Sequence, residues 1–322
     1  MKRILAFAAA VLLVLALALT GGSIYMVHYA LDASENHRDT TDRFAYPKKM
    51  YPEIVPWIDS LRAEGALRDT FITTPQGERH HAIYARHQQA RGRTAILVHG
   101  YKDSSEGMLF IACFYHRLFG FNVLLPDLHG HGLSDGDDIQ MGWKDRTDVL
   151  RWMDVAERLF RTEEGESRMV VHGISMGAAT TMNVAGDTTP DYARCFVEDC
   201  GYTSAWDEFA HELDRRYHLP PFPLLHACSA LCRMKYGWTF SEASPLHQVA
   251  QCHKPMLFIH GMDDDFVPTR MVFPLFKAKP SAVREDKRLV LVKGAAHAEA
   301  YRKNPKAYIK AVKAFITPHI ME

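Results

Sequence analysis

Residues 169–179 of the sequence read Met-Val-Val-His-Gly-Ile-Ser-Met-Gly-Ala-Ala, and this stretch decides the predicted fold. The apolar run that opens it predicts a buried strand, and the small residues from Ala178 to Val184 predict a helix. Between them, Gly-x-Ser-x-Gly places Ser175 at a sharp turn, as in a nucleophile elbow, where a strained backbone pushes the hydroxyl above the sheet edge. The flanking glycines have no Cβ, so strand and helix can approach closely. The alternative interpretation is a glycine-rich turn with a bystander serine.

Further apolar segments predict that strands and helices alternate along the chain. Thr94–Val98 is continuously apolar after its first residue, which predicts a parallel strand buried on both faces. Phe71–Thr74 and His81–Arg86 flank Pro-Gln-Gly and predict an antiparallel hairpin at the start of the sheet. The other predicted strands span 121–125, 193–198, 255–260 and 288–292, and the main predicted helices span 105–119, 145–160 and 305–316.

Over roughly residues 70–317 the sequence resembles the α/β-hydrolase superfamily, on the strength of the Gly-x-Ser-x-Gly turn and its flanking elements. It is most similar to bacterial membrane-anchored hydrolases with an esterase-like or peptidase-like core. The resemblance implies an α/β fold, with a mostly parallel central sheet flanked by helices. It also implies a helical cap inserted between strands six and seven.

The same resemblance implies a catalytic triad in the chain order nucleophile, acid, base. Ser175 is the nucleophile, and His297, in a small-residue loop after the last strand, is the base. The family pattern His-Gly-x-x-Asp-x-x-Val-Pro fits residues 260–268 and selects Asp264 as the acid that orients the histidine. Asp199, at the end of strand six, is the second candidate for the acid.

An apolar strand that runs into His99 and Gly100 resembles the oxyanion loop of the family. The resemblance implies that the main-chain N–H groups of Tyr101 and Met176 form the oxyanion hole. His99 is expected to shape this loop and not to act as the base.

The predicted domain organisation has four parts. Residues 31–70 form a linker and packing segment with a short helix over 57–64, and residues 71–204 and 246–322 form the hydrolase core. Residues 205–245 interrupt the strand–helix rhythm with aromatic residues and prolines, which suits a cap that forms one wall of a substrate pocket. The alternative is that these helices pack only for their own stability.

The N-terminal segment, residues 1–30, begins with Lys2 and Arg3 before an apolar run from Ile4 to Leu19. The run is longer than a usual secretory core of about 7–15 residues, so we expect an uncleaved signal anchor with the catalytic domain outside the cytoplasm. A signal peptide cleaved near Ala16-Leu17-Ala18, which leaves a secreted or periplasmic protein, is the alternative.

Composition sets further limits. The 322 residues include 38 basic and 38 acidic side chains, which gives no electrostatic footprint for nucleic acid. The six cysteines fit no zinc spacing, and we expect buried thiols; a disulfide among Cys195, Cys200, Cys228, Cys232 and Cys252 is the alternative for an exported domain. His80 and His81 are expected on the surface, and the His-Gly-His-Gly loop from His129 is expected to be a tight turn. No metal or organic cofactor is predicted.

The predicted function is a serine hydrolase that cleaves a carboxylic ester through an acyl-enzyme, of the carboxylesterase type. The partner is a small-molecule ester or acyl substrate, and the N-terminal segment contacts the membrane. A peptidase, amidase or thioesterase with the same triad is the alternative, followed by a non-catalytic binding protein on this fold. The natural substrate, the acyl length and the oligomeric state stay open.

Overall fold

The computed structural model describes residues 1–36, 43–163, 166–283 and 286–321. Within these ranges the predicted alternation of strands and helices is confirmed. Residues 37–42 of the predicted linker and the C-terminal residue of the predicted core lie outside the described residues. The division of the chain into four parts stays a prediction.

Eight strands of the described chain form one sheet in the order β1-β2-β4-β3-β5-β6-β7-β8. Their bounds are β1 Leu67–Thr73, β2 Arg79–Ala85, β3 Arg93–Val98, β4 Asn122–Pro126, β5 Arg168–Ile174, β6 Ala193–Asp199, β7 Met256–Gly261 and β8 Lys287–Val292. Strand β2 is antiparallel to both β1 and β4, whereas every pairing from β4 to β8 is parallel. The predicted antiparallel hairpin at the start of the sheet is therefore confirmed.

Twelve α-helices accompany the sheet in the described residues. They are α1 Lys2–Leu31, α2 Ala45–Met50, α3 Val55–Ala63, α4 Leu109–Phe119, α5 Asp145–Phe160, α6 Met176–Gly186, α7 Ala205–Tyr217, α8 Leu224–Tyr236, α9 Pro245–Val249, α10 Val272–Ala278, α11 Ala300–Lys303 and α12 Pro305–Ile316. Helices α7 and α8 follow β6 and precede β7, where the cap was predicted.

The hydrophobic core lies in two layers, one on each face of the sheet. Ile96 and Val98 of β3 pack into the first layer, and Ala95 and Leu97 pack into the second, because side chains alternate along a strand. The first layer contains α5, α6 and the cap helices, and the second contains α3, α4 and α12. Strand β3 is thus covered on both faces, as its apolar sequence predicts.

The cysteines belong to these packed layers. All six are buried and unpaired, so the interpretation as buried thiols is confirmed. Cys228 and Cys232 lie one turn apart on α8 and contribute to the first layer.

Helix α1 has 30 residues and divides into an exposed and a packed part. Its side chains as far as Ala18 are exposed, and the helix is apolar and long enough to cross a membrane. Beyond that point one stripe, which includes Ser23, Val27 and Leu31, is buried at helical spacing. The last turns of α1 therefore belong to the folded domain, where they pack against α8.

The expectation that His80 and His81 lie on the surface is wrong, since both side chains are buried. They point to opposite faces of β2, as neighbours on a strand must. The His81 ring contacts Asp127 Oδ2 through Nδ1 at 2.6 Å and Asp69 Oδ1 through Nε2 at 2.8 Å. The His80 Nδ1 atom lies 3.2 Å from Asp148 Oδ2. Carboxylates placed beside both rings allow polar groups to occupy core positions that a period-two pattern assigns to apolar residues.

These contacts change the ionisation of His81. Burial alone would lower its pKa, but hydrogen bonds to Asp127 and Asp69 and the two negative charges raise it to about 9. Since the folded-state pKa lies above the ordinary value of 6.5, the proton on His81 stabilises the fold fully below pH 6.5. This contribution is lost as the pH rises through about 9.

We therefore expect the free energy of unfolding to fall between pH 6.5 and pH 9. The fall should be roughly 1.5–3 kcal/mol, the usual contribution of a hydrogen bond to a charged group. Denaturant unfolding of the full chain in detergent, repeated across this range, measures it. His81→Gln should be less stable overall and show a shallower pH slope. The slope should not vanish, because the pKa of His129 is also raised to about 9 by Asp138, Glu78 and Asp145, against the effect of burial. Equal slopes in the two proteins would contradict the assignment.

Candidate active site

Ser175 occupies the turn between β5 and α6, and its backbone is strained. Its φ is 58° and its ψ is −119°, a conformation that a residue with a Cβ rarely adopts. The turn is held by a hydrogen bond from the Ser175 N–H to the Asp199 carbonyl oxygen, at 2.8 Å. The predicted strand–turn–helix arrangement is therefore present, with the side chain at the carboxyl edge of the sheet.

The two glycines of the motif are required by close packing. A Cβ on Gly173 would clash with the carbonyl oxygen of Gly177, and a Cβ on Gly177 would clash with the carbonyl oxygen of Val98. Any larger residue would separate α6 from β5 and β3, and would move Ser175 with them.

The structure brings the three predicted triad residues into one hydrogen-bonded chain. Ser175 Oγ lies 2.8 Å from His297 Nε2, and His297 Nδ1 lies 2.8 Å from Asp264 Oδ2. With the Nδ1 proton directed at the carboxylate, Nε2 is left to accept the serine proton; this tautomer follows from the hydrogen-bond network. The catalytic roles of the three residues stay a prediction.

The surroundings of Asp264 favour its ionised form. Its Oδ1 atom accepts hydrogen bonds from the main-chain N–H groups of Phe266 at 3.1 Å and Val267 at 3.0 Å. Burial alone would raise the pKa of Asp264, but the His260 and His297 rings hold it below its ordinary value. A negative charge therefore faces Nδ1 of His297.

Asp199, the second candidate for the acid, has a different partner. Its Oδ2 atom accepts a hydrogen bond from the Tyr308 hydroxyl at 2.8 Å. Burial raises the pKa of Asp199 to about 6, against the opposing effects of Tyr308 and the nearby histidines. The geometry thus links His297 to Asp264 and ties Asp199 to α12.

The two predicted oxyanion donors lie beside Ser175. Met176 is the first residue of α6, so its N–H belongs to the helix-terminal groups that lack an intrahelical acceptor. A Cβ on Gly100 would lie 3.5 Å from Ser175 Cβ, which shows how closely the loop with Tyr101 passes. His99 Nε2 accepts a hydrogen bond from the Leu128 N–H at 3.0 Å, so this ring is bound within the scaffold.

Two cavities meet at Ser175. The first has a volume of about 260 Å³ and is mainly apolar. The cap supplies much of its wall, through Phe209, Leu213, Leu224, Leu225 and Phe240. The second, of about 480 Å³, lies towards His297 and is lined by Tyr46, Tyr51, Asp103 and Arg302 among others. Ser175 thus has separate spaces available for the two halves of a substrate.

Sequence reasoning missed the part of α1 that forms a wall of the first cavity. Met26, Val27, Tyr29 and Ala30 all line it. The carbonyl oxygen of Ala30 accepts a hydrogen bond from the Tyr101 hydroxyl at 2.8 Å. The available signal was length, because the apolar helix continues for more residues than a bilayer needs.

Glu208 of α7 is a second lining residue that the sequence did not reveal. Its side chain is buried, and within the described part of the chain neither carboxyl oxygen has a hydrogen-bond partner. Burial, the dominant cause, raises its pKa well above the ordinary value. The neutral form is therefore favoured, which keeps the cavity weakly polar. Nothing in the sequence distinguishes Glu208 from the other charged residues of α7, so the sequence alone suggests that it lies on a solvent-exposed helix face.

Several side chains of the described residues are grouped closely enough to ligate a metal. Their potential ligand atoms lie within 4.8 Å of one another in the sets Glu78, His80 and His129; His129, Asp137 and Asp138; and Cys200, Asp264 and His297. The last set shares two residues with the hydrogen-bonded chain at Ser175. The predicted absence of a metal stays a prediction.

Comparison with solved structures supports the assignment of the fold. An esterase from Pyrococcus furiosus, Pf2001, superposes with a TM-score of 0.64 at 20% sequence identity, covering 81% of this chain and 95% of that one. An eight-stranded, mostly parallel sheet flanked by helices, with cap helices between β6 and β7, is the α/β-hydrolase fold, as the sequence predicts.

The chain belongs to the prolyl oligopeptidase family, whose model matches residues 114–322. It is also 32% identical over 205 residues to the uncharacterised protein YqkD of Bacillus subtilis, covering 63% of this chain and 65% of that protein. An uncharacterised protein of Mycobacterium tuberculosis, Rv2307c, is 25% identical over 265 residues, covering 82% of this chain and 83% of its own length. Family and fold together support an enzyme of the serine-hydrolase type.

Proposed function

We propose that the protein hydrolyses a carboxylic ester through an acyl-enzyme on Ser175. The hydrogen-bonded chain from Ser175 through His297 to Asp264 is the observation that carries this proposal. It is supported by the strained turn at Ser175 and by the apolar cavity that opens beside its hydroxyl.

The proposed reaction has two halves. In the first, His297 Nε2 takes the proton of Ser175 as Oγ attacks the ester carbonyl carbon. The N–H groups of Tyr101 and Met176 stabilise the negative oxygen, and His297 returns the proton to the departing alcohol. In the second half, His297 takes a proton from the water that attacks the acyl carbonyl carbon, and it gives that proton to Ser175 Oγ as the bond between Oγ and the acyl group breaks and the acid departs. Asp264 stabilises the imidazolium in both halves.

Helix α1 is proposed to anchor the protein in the membrane, with the domain outside the cytoplasm. Lys2 and Arg3 precede the apolar residues, and such positive charges stay on the cytoplasmic side. A cleaved signal peptide is the alternative. Cleavage after Ala18 would leave the packed turns of α1 on the domain.

A peptidase or amidase is the second candidate function, and the family favours it. Because the same hydrogen-bonded chain serves both reactions, substrate turnover separates them. p-Nitrophenyl butyrate should be hydrolysed at a far higher kcat/KM than aminoacyl or prolyl p-nitroanilides. The reverse ranking would assign the protein to the peptidases.

We expect Ser175→Ala to lower kcat on p-nitrophenyl butyrate by at least about 10⁴-fold, because the attacking oxygen is removed. Labelling by a fluorophosphonate probe should also be lost, while the unfolding midpoint stays close to that of the wild type. Cys195→Ala is a matched control, because it also removes one side-chain heavy atom beyond Cβ, at a buried position away from the site. This variant should keep its labelling. Near-full turnover by Ser175→Ala would disprove the assignment.

We expect Asp264→Asn to lower kcat by about 10⁴-fold, because the neutral amide does not stabilise the imidazolium and its NH2 group can donate to Nδ1, which leaves the histidine proton on Nε2. Asp199→Asn has the same change of shape and charge and should keep most of the activity, since Asp199 is bonded to Tyr308. Steady-state kinetics on both variants test this. The opposite pattern would move the acid to the end of β6.

A further inference from the structure

We propose that the substrate is a single-chain lipid ester, such as a monoacylglycerol, that reaches Ser175 from the membrane along the wall formed by α1. This inference rests on the proposed ester hydrolysis and on the proposed anchor. It adds the substrate class and the route of entry. Neither of these follows from the family or from the hydrogen-bonded chain at Ser175.

The first observation is where the exposed part of α1 ends. Residues 2–18 are exposed and span about 25 Å at 1.5 Å per residue, close to the thickness of a bilayer hydrocarbon core. The cavity-lining residues begin only about two turns later, at Met26. A membrane that covers the exposed turns therefore ends about two turns of α1 from the cavity.

The second observation is the way in which α1 is fixed to the cap. The Arg216 guanidinium donates to the Tyr29 hydroxyl at 3.0 Å. A Cβ on Gly22 would lie 3.5 Å from Leu224 Cδ1, so α8 begins in close contact with the outer end of the packed turns. The connection from α7 to α8 therefore starts beside Tyr29 and ends beside Gly22, so it runs along α1 towards the exposed turns.

The third observation is that this connection exposes apolar side chains. Phe222 is 71% exposed and Leu219 is 41% exposed, and neither lines the first cavity. On α1, Ile24 and Tyr25 are also exposed, and Tyr25 stacks on Tyr29 at a ring separation of 6.2 Å. We call Leu219, Phe222, Ile24 and Tyr25 the entry surface. Tyrosines are enriched at the membrane–water interface, and exposed apolar side chains on an apolar helix and on the connection that runs along it suit a bilayer as their partner.

The fourth observation concerns the two cavities. The first is mainly apolar and is walled by α1 and the cap, so it suits an acyl chain that comes from the bilayer. The second is also lined mainly by apolar surface, but it carries the polar side chains of Asp103, Glu299 and Arg302, which can hydrogen-bond a hydroxylated alcohol. A monoacylglycerol has these two halves on either side of one ester bond.

The test uses the full chain reconstituted in vesicles of ether-linked phosphatidylcholine, which contain no carboxylic ester. Monooleoylglycerol is the probe, and released oleic acid is measured. At a constant bulk amount of probe, the rate should follow its mole fraction in the bilayer. A rate that stays the same when only the mole fraction of the probe in the bilayer changes would overturn membrane entry.

The double variant Leu219→Asp/Phe222→Asp should lower the vesicle rate at least fivefold and leave p-nitrophenyl butyrate turnover in detergent within twofold. Leu118→Asp changes an exposed leucine on α4 in the same way and should alter neither rate. If the double variant does not fold, Phe222→Ser alone should lower the vesicle rate at least twofold. An unchanged vesicle rate in the folded variant would overturn the proposal.

These experiments distinguish a failure of the proposed serine-hydrolase function from a failure of the proposed lipid substrate. Absence of both fluorophosphonate labelling and p-nitrophenyl butyrate turnover in the folded wild type would reject the serine-hydrolase function itself. Labelling and butyrate turnover without release of oleic acid from vesicles would reject only the lipid substrate.

Discussion

The strained backbone at Ser175 is the constraint on which the site depends. A φ of 58° at a residue with a Cβ is unfavourable, so the surroundings must impose it. They do so through the glycines on either side, which let α6 pack directly against β5 and the end of β3. The same close approach brings the loop with Tyr101 and the N-terminus of α6 to one point. A single packing arrangement thus positions both the proposed nucleophile and the proposed oxyanion donors.

The N-terminal helix joins two segments with different surroundings in one continuous element. Its exposed turns have the length and composition of a membrane span, and its last turns are part of the hydrophobic core and of a cavity wall. The hydrogen bond from Tyr101 to Ala30 connects that wall to the predicted oxyanion loop. Any movement of the helix against the cap therefore reaches the site directly. An anchor joined by a flexible linker would not transmit such a movement.

The sequence predicted the sheet well, and it selected side chains that the structure brings together, because these signals are local. An apolar run bounded by glycine or proline predicts a strand, and α5 and α12 have the bounds that their periodic apolar residues predict. The choice of Asp264 over its two neighbours came from a pattern with fixed spacing, and the structure places that carboxylate beside His297.

The predictions were incomplete or wrong where the deciding contact is distant in sequence. His81 is buried because Asp69 and Asp127 lie beside it, and Asp127 is 46 residues away along the chain. The contact of α1 with α8 joins residues about two hundred positions apart, Ser23 and Cys228 among them. Glu208 looks like any acidic residue on a helix until the fold places it in a cavity. Periodicity reports which face of an element is apolar and does not report what covers it.

The buried carboxyl groups near the site differ in pKa because different groups donate hydrogen bonds to them. Glu198 and Asp199 are fully buried, and burial raises their pKa values to about 8 and about 6. Asp264 is also buried, yet the His260 and His297 rings lower its pKa, and two main-chain N–H groups donate hydrogen bonds to it. A carboxylate that must stabilise an imidazolium has to remain charged while water is excluded, and only Asp264 among these three has the donors for that. The loop after β7 supplies them through its own turn, in which Phe266 and Val267 fold back onto the side chain. The spacing Asp-x-x-Val therefore has a physical meaning, since it places two N–H groups where they hydrogen-bond the Asp264 carboxylate.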